Sequence, residues 1–232
     1  DMLPRQTAAG EPAFAPYSSH SATLSYDAAD IYRWQFAVGV YARDSVASRV
    51  ALPSGSAKFS ADQGGQSGKL GDYAIDLVRA GGAWVSIADG SFLNAAAAND
   101  ELSVAIWIKK YDIASGSAFW MVSPSSSNGQ RGFQAHTPWS DDTVYFDTAG
   151  CCDAGVTRIS APINTFSPYL EVGDDAWWTN WHHFVFTKKG DAKNIYIDGQ
   201  LFLYDFGSAV LPTDFTSISL GTDGYPDRKS VV

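Results

Sequence analysis

Trp181-His182-His183-Phe184-Val185-Phe186-Thr187, followed by Asn194-Ile195-Tyr196-Ile197-Asp198-Gly199, is the part of this chain that decides its fold. Each half sets large apolar side chains at alternate positions, as a β-strand does when successive side chains point to opposite faces. Asp198-Gly199 is a two-residue hairpin signal, because both residues tolerate the positive φ that such a turn needs. It leads into Leu201-Phe202-Leu203, so the segment predicts an antiparallel meander. Within it His182 and His183 diverge to opposite faces and do not chelate one metal ion. One of them is expected to pack beside Trp181 as a structural group, the other to face solvent.

Working outward, strands are expected at Tyr73–Val78, Trp84–Ile87, Ser103–Lys109, Ala118–Val122, Gly132–His136, Thr143–Asp147 and Ser217–Leu220. In Ser103–Lys109 both faces carry bulk, Val104, Ile106 and Ile108 against Ala105 and Trp107, which predicts a central strand. Near the N-terminus Tyr32, Trp34, Phe36, Val38 and Val40 alternate with smaller or polar residues and predict one long strand. Residues 1–20, rich in Pro, Ala and Ser, read as an extended arm, and residues 53–71 as a flexible loop. Phe92–Asn99 reads as a short helical turn or a loop. Many short strands, with turn signals about every 8–12 residues, mark an all-β sandwich.

Hydrophobic residues make up 45% of the 232, enough for a substantial core. The formal net charge of −9 makes nucleic acid and anionic lipid poor partners. No run of about 18 apolar residues occurs, so no membrane insertion by a helix is expected. The chain opens without the charged and apolar regions of a signal peptide, so any such peptide is expected to have been removed. The two cysteines, Cys151 and Cys152, are adjacent. Their Cα atoms lie about 3.8 Å apart across a trans peptide, closer than ordinary disulfides prefer. They are either free thiols or a strained vicinal disulfide that stiffens a loop.

From about Gly71 to Gly221 the order of motifs resembles the bacterial laminin-G-like jelly rolls of the concanavalin A-like lectin and glucanase superfamily. The most specific pair is Trp181-His182-His183 with Tyr196-Ile197-Asp198-Gly199. Asp72-Tyr73-Ala74-Ile75-Asp76-Leu77 and Leu102-Ser103-Val104-Ala105-Ile106-Trp107-Ile108-Lys109 are similar to two further strands of that family. The run from His136 through Asp147, then Gly150-Cys151-Cys152-Asp153, is similar to a recurring subset of it. The resemblance implies a two-sheet antiparallel jelly-roll sandwich, export, and a vicinal disulfide. It also implies a division into an N-terminal arm, residues 1–52, and a jelly-roll domain, residues 53–232. That domain lacks the family's usual final strand, so an open edge that invites strand addition is expected.

Domains of this kind mostly bind, and the expected partner is a glycan or an extracellular protein. Trp139 with Asp141 and Asp142 lies between two strands, where an indole stacks on the C–H face of a sugar and carboxylates accept its hydroxyls. His136 and Trp177 are the other candidate ligand-binding residues, and Asp174 and Asp175 flank the latter. Calcium is the metal that such loop acids suit, with Asp141, Asp147 and Asp153 as ligands, although no twelve-residue calcium loop of regular spacing occurs. Laminarinase-like members of the superfamily carry a Glu-x-Asp-x-x-Glu strand whose carboxylates act as nucleophile and acid. Glu171-Val172-Gly173-Asp174-Asp175-Ala176 lacks both partners of that motif. The reading is therefore a non-catalytic extracellular recognition or adhesion module. A self-associating structural subunit of a filament or surface layer is the alternative, and a glycan hydrolase or lyase the third.

Overall fold

The computed structural model describes residues 24–25, 42–44, 49–70, 72–77, 82–111, 113 and 115–221. The expected Tyr32–Val40 strand, the 1–20 arm and any strand after Gly221 lie outside these residues.

Fifteen strands are described: β1 (Leu24–Ser25), β2 (Ala42–Asp44), β3 (Val50–Ser54), β4 (Lys58–Phe59), β5 (Ile75–Asp76), β6 (Trp84–Ile87), β7 (Glu101–Ile108), β8 (Phe119–Val122), β9 (Arg131–His136), β10 (Thr143–Thr148), β11 (Arg158–Pro162), β12 (His182–Lys189), β13 (Ala192–Ile197), β14 (Gln200–Phe206) and β15 (Ser217–Leu220). They form a nine-stranded sheet in the order β1-β2-β3-β6-β15-β8-β9-β10-β11, a four-stranded sheet β14-β13-β12-β7, and the small pair β4-β5. Every ladder is antiparallel, and the two large sheets build an all-β jelly-roll sandwich.

The meander forms as the alternation dictates. In β12 the even-numbered residues His182 to Lys188 are buried and the odd-numbered ones are not. Asp198 and Gly199 take φ values of 50° and 80° and close the β13–β14 hairpin. Between the sheets, Phe186 of β12 meets Phe119 of β8 and Phe146 of β10, each at 5.5 Å between ring centroids. Phe133 of β9 packs on Phe146 at 4.9 Å. Lys193, fully buried on β13, also crosses the core: its Nζ donates to Phe146 O, Thr148 Oγ1 and Thr157 O. Burial pushes its ammonium down to about 7, against the pull of Asp147.

Four expectations change. Among the described residues β7 is an edge strand, not a central one; the Ala105 and Trp107 side face outward, so bulk on two faces did not require two neighbours. The 53–71 loop contains the end of β3 and all of β4, and Phe59 is buried. Its tip is held by Asp72, whose carboxylate accepts from the Ser67 amide and hydroxyl and the Gly68 amide. The Tyr73–Val78 strand shortens to Ile75–Asp76 within the described residues. A strand at Arg158–Pro162 and helices at Ser167–Val172 and Asp174–Trp178 stand where no element was expected.

Candidate functional site

Strands β8 to β11 set side chains on the face of the nine-stranded sheet turned away from Phe133 and Phe146. The register aligns Trp120, Gln134, Asp147 and Arg158 in one row, and His136 and Tyr145 in the next. Asp147 is 0% exposed, and its carboxylate accepts Arg158 Nε and Nη2, each at 2.6 Å. Burial opposes the Arg158 charge, but the Asp147 bonds outweigh it and hold the guanidinium firmly protonated. The same guanidinium lies 4.2 Å over the Tyr145 ring and its Nη2 reaches Cys151 Sγ at 3.2 Å. Cys151 and Cys152 are joined as a vicinal disulfide. Two buried polar atoms of this layer, Arg131 Nε and Gln134 Oε1, have no partner within the protein.

His136 ends β9 and is buried; its Nδ1 lies 2.9 Å from Gly116 O. Its ring is 4.6 Å from the Trp139 indole and 5.9 Å from Tyr145, edge to face in both cases. The turn that follows is tightened by Trp139 N donating to Thr143 O, Asp142 N donating to Trp139 O, and a positive φ at Asp142. Trp139 is half-buried, and Asp141 and Asp142 in the same turn are exposed. Asp141 Oδ2 accepts the Tyr145 hydroxyl at 2.7 Å and Oδ1 the Thr143 amide at 3.1 Å. Burial works against its charge, but these donors win and the carboxyl titrates below its usual range. Burial and the neighbouring Asp141 push the Tyr145 phenol up.

Burial pushes the His136 imidazole down to about 4, against the pull of the Gly116 carbonyl. The unfolded chain takes a proton on this residue near pH 6.5 and the native state does not. Stability is therefore fully present above pH 6.5 and declines as the pH falls through 6.5 towards 4. The loss attributable to this residue is about 3 kcal/mol. Urea titrations at a series of pH values should show the decline in the native protein and a flatter profile in His136→Asn.

The other expected site residues part from this cluster. Trp177 is only 4% exposed and stacks flat on His182 at 3.7 Å, so it is a packing residue and not a ligand platform. Trp178 beside it is equally buried. Their side chains are drawn in because residues 174–178 form a helix packed on Phe166 and Tyr169. His182 is the structural histidine, held by Asp198 Oδ2 at 2.7 Å and Trp177 O at 2.9 Å, and its ring neighbour is Trp177, not Trp181. Of Asp141, Asp147 and Asp153, the expected calcium ligands, Asp147 is committed to Arg158 and Asp141 to Tyr145 and Thr143, and no group of three acidic, His or Cys residues able to hold a metal occurs among the described residues. Sequence reasoning missed Gln134, Tyr145 and Arg158. For the first two the signal was there, as polar groups at every second position of the β9 and β10 segments.

No family model matches the chain, and no curated protein matches it. Solved structures do. The binding domain of botulinum neurotoxin DC in complex with rat synaptotagmin II superposes with a TM-score of 0.56 at 14% identity, covering 80% of this chain and 42% of that one. The same domain in complex with SialylT gives 0.53 at 13% identity, covering 77% and 40%. Domain 4 of AbnA, a GH43 extracellular arabinanase from Geobacillus stearothermophilus, in complex with arabinotriose gives 0.51 at 13% identity, covering 81% and 82%. The chain thus spans about two fifths of the toxin binding domains and most of the arabinanase domain. At these identities the likeness establishes the fold, a β-sandwich. No helix among the described residues is long and apolar enough to cross a membrane, which leaves membrane crossing by strands untouched.

Proposed function

We propose that this chain is a non-catalytic glycan-binding module of the cell exterior, with Trp139 as its stacking platform and Asp141 as its hydroxyl acceptor. The observation that carries the reading is the rim turn itself. An indole fixed at its base by His136 stands beside a charged carboxylate oriented by Tyr145 and Thr143. A preorganised ring next to a fixed acceptor suits a sugar, with one apolar face and a hydroxyl edge. The structural neighbours support a binding role, since one is described with arabinotriose and others as receptor-binding domains. The disulfide supports an oxidising location. Binding without chemistry is favoured because Asp147 is held by Arg158 and the His136 ring sits under Trp139 against Gly116.

Isothermal titration with a panel of soluble oligosaccharides tests this. The native protein should bind at least one, and Trp139→Ala should weaken that binding at least tenfold, about 1.4 kcal/mol. Asp141→Asn should weaken it less. The bound sugar should be recovered intact, and new reducing or unsaturated ends would support the hydrolase or lyase reading instead.

A further inference from the structure

The four-stranded sheet turns one face to the core and the other outward. The outward face carries Trp107 on β7 and Leu201, Tyr204 and Phe206 on β14, which expose 44%, 55%, 50% and 53% of their surface. Isolated exposed apolar residues are ordinary, but a set gathered on one sheet face marks an interaction surface. Across the strands the register places Ser103, Thr187, Asn194 and Tyr204 in a single row, with Asn194 Nδ2 donating to Thr187 Oγ1 at 3.1 Å. At one end Trp107 lies against His183, 4.8 Å between ring centroids; at the other, Tyr204 packs edge-on to Phe206 at 5.1 Å.

We propose that this outward face is a second binding surface, for a neutral polysaccharide chain lying across the strands. Its charge pattern selects the occupant. Among the described residues the outward positions of this sheet carry one acid and one lysine, Glu101 and Lys189, 2.9 Å apart and mutually compensating. Burial moves His183 towards its neutral form. Such a face offers no countercharge to an acidic polymer, and a second copy of the chain would bring another net charge of −9. A neutral glycan matches what is there. Aromatic rings meet the C–H faces of sugar rings, and neutral hydroxyl and amide groups exchange hydrogen bonds with its hydroxyls. Three inter-strand spacings, about 14 Å, and four residues along the strands, about 13 Å, separate Trp107 from Tyr204, so a polymer running diagonally over the face engages both where a single sugar does not. This surface is on the sheet opposite to the Trp139 turn and does not rest on it.

Co-sedimentation with insoluble microcrystalline cellulose, chitin and β-1,3-glucan tests the proposal. The native protein should pellet with at least one. Trp107→Ala and the double variant Tyr204→Ala/Phe206→Ala should each lower the bound fraction at least tenfold, and Leu201→Lys should lower it without removing a ring. Leu52→Ala, at an exposed apolar residue on β3 of the other sheet, should leave it unchanged, and Trp107→Ala should still lower capture in a Trp139→Ala background, which separates this surface from the rim turn. Unaltered thermal midpoints would show that the variants are folded. Capture of the native protein by none of the three polymers would overturn the proposal, as would full capture of the double variant. A native dimer in sedimentation velocity that the double variant dissociates would also overturn it, by making the face a self-association surface.

Discussion

Asp147→Ala should destabilise the domain by about 3–5 kcal/mol, the range for removing one partner of a buried ion pair. Asp147 is wholly buried, and it neutralises Arg158 through two short bonds, with Arg131 Nη1 a further 3.9 Å away. Truncation leaves the Arg158 guanidinium with the weaker pull of exposed Asp141 and the opposing charge of the buried Lys193. The measurement is the urea midpoint at pH 7. Asp147→Leu combined with Arg158→Met should recover much of the loss, because an apolar pair carries no uncompensated charge. A loss below about 1 kcal/mol in the single variant would mean that the pair is solvated in solution.

Phe186→Ala should be comparably severe, about 3–5 kcal/mol. Phe186 is fully buried and touches aromatic rings from both sheets, Phe119 and Phe146 on one side and Phe184 on its own strand. Neighbours fixed in their own ladders cannot collapse into the void, so the cavity remains and the dispersion contacts are lost. Phe186→Leu should cost distinctly less in the same urea titration. A mild effect of the alanine variant would indicate that the sheets do not pack through this ring.

The strands were legible where one face alone is buried. In β12 and β13 the core face carries Phe184, Phe186, Ile195 and Ile197, so alternation shows directly in the sequence. β11 was not, because Ile159 is the sole large apolar residue in Arg158-Ile159-Ser160-Ala161-Pro162, too few for a pattern. The helix at Asp174–Trp178 is five residues long, shorter than two helical turns, so no 3.6-residue period develops. Its paired tryptophans therefore read as loop residues when they are core residues.

The candidate site was legible in part. His136, Trp139 and Asp141 lie within six residues of one another around a single hairpin, and their gathering follows from local sequence. The Asp147–Arg158 pair was not legible, because the partner comes from another strand. Only the β10–β11 register, Asp147 opposite Arg158, turns a loop-like acid into half of a buried pair. Trp107 was read as buried bulk because sequence shows that a side chain is large and not what covers it.

The claim that a glycan is held by the Trp139 turn is tested most directly by nuclear magnetic resonance. The eight tryptophans give eight indole N–H signals. Titration with the best soluble oligosaccharide should displace the signal of Trp139, assigned with the Trp139→Phe variant, and leave those of buried Trp120, Trp177 and Trp178 in place. Saturable sugar binding with the Trp139 signal unmoved would contradict the account.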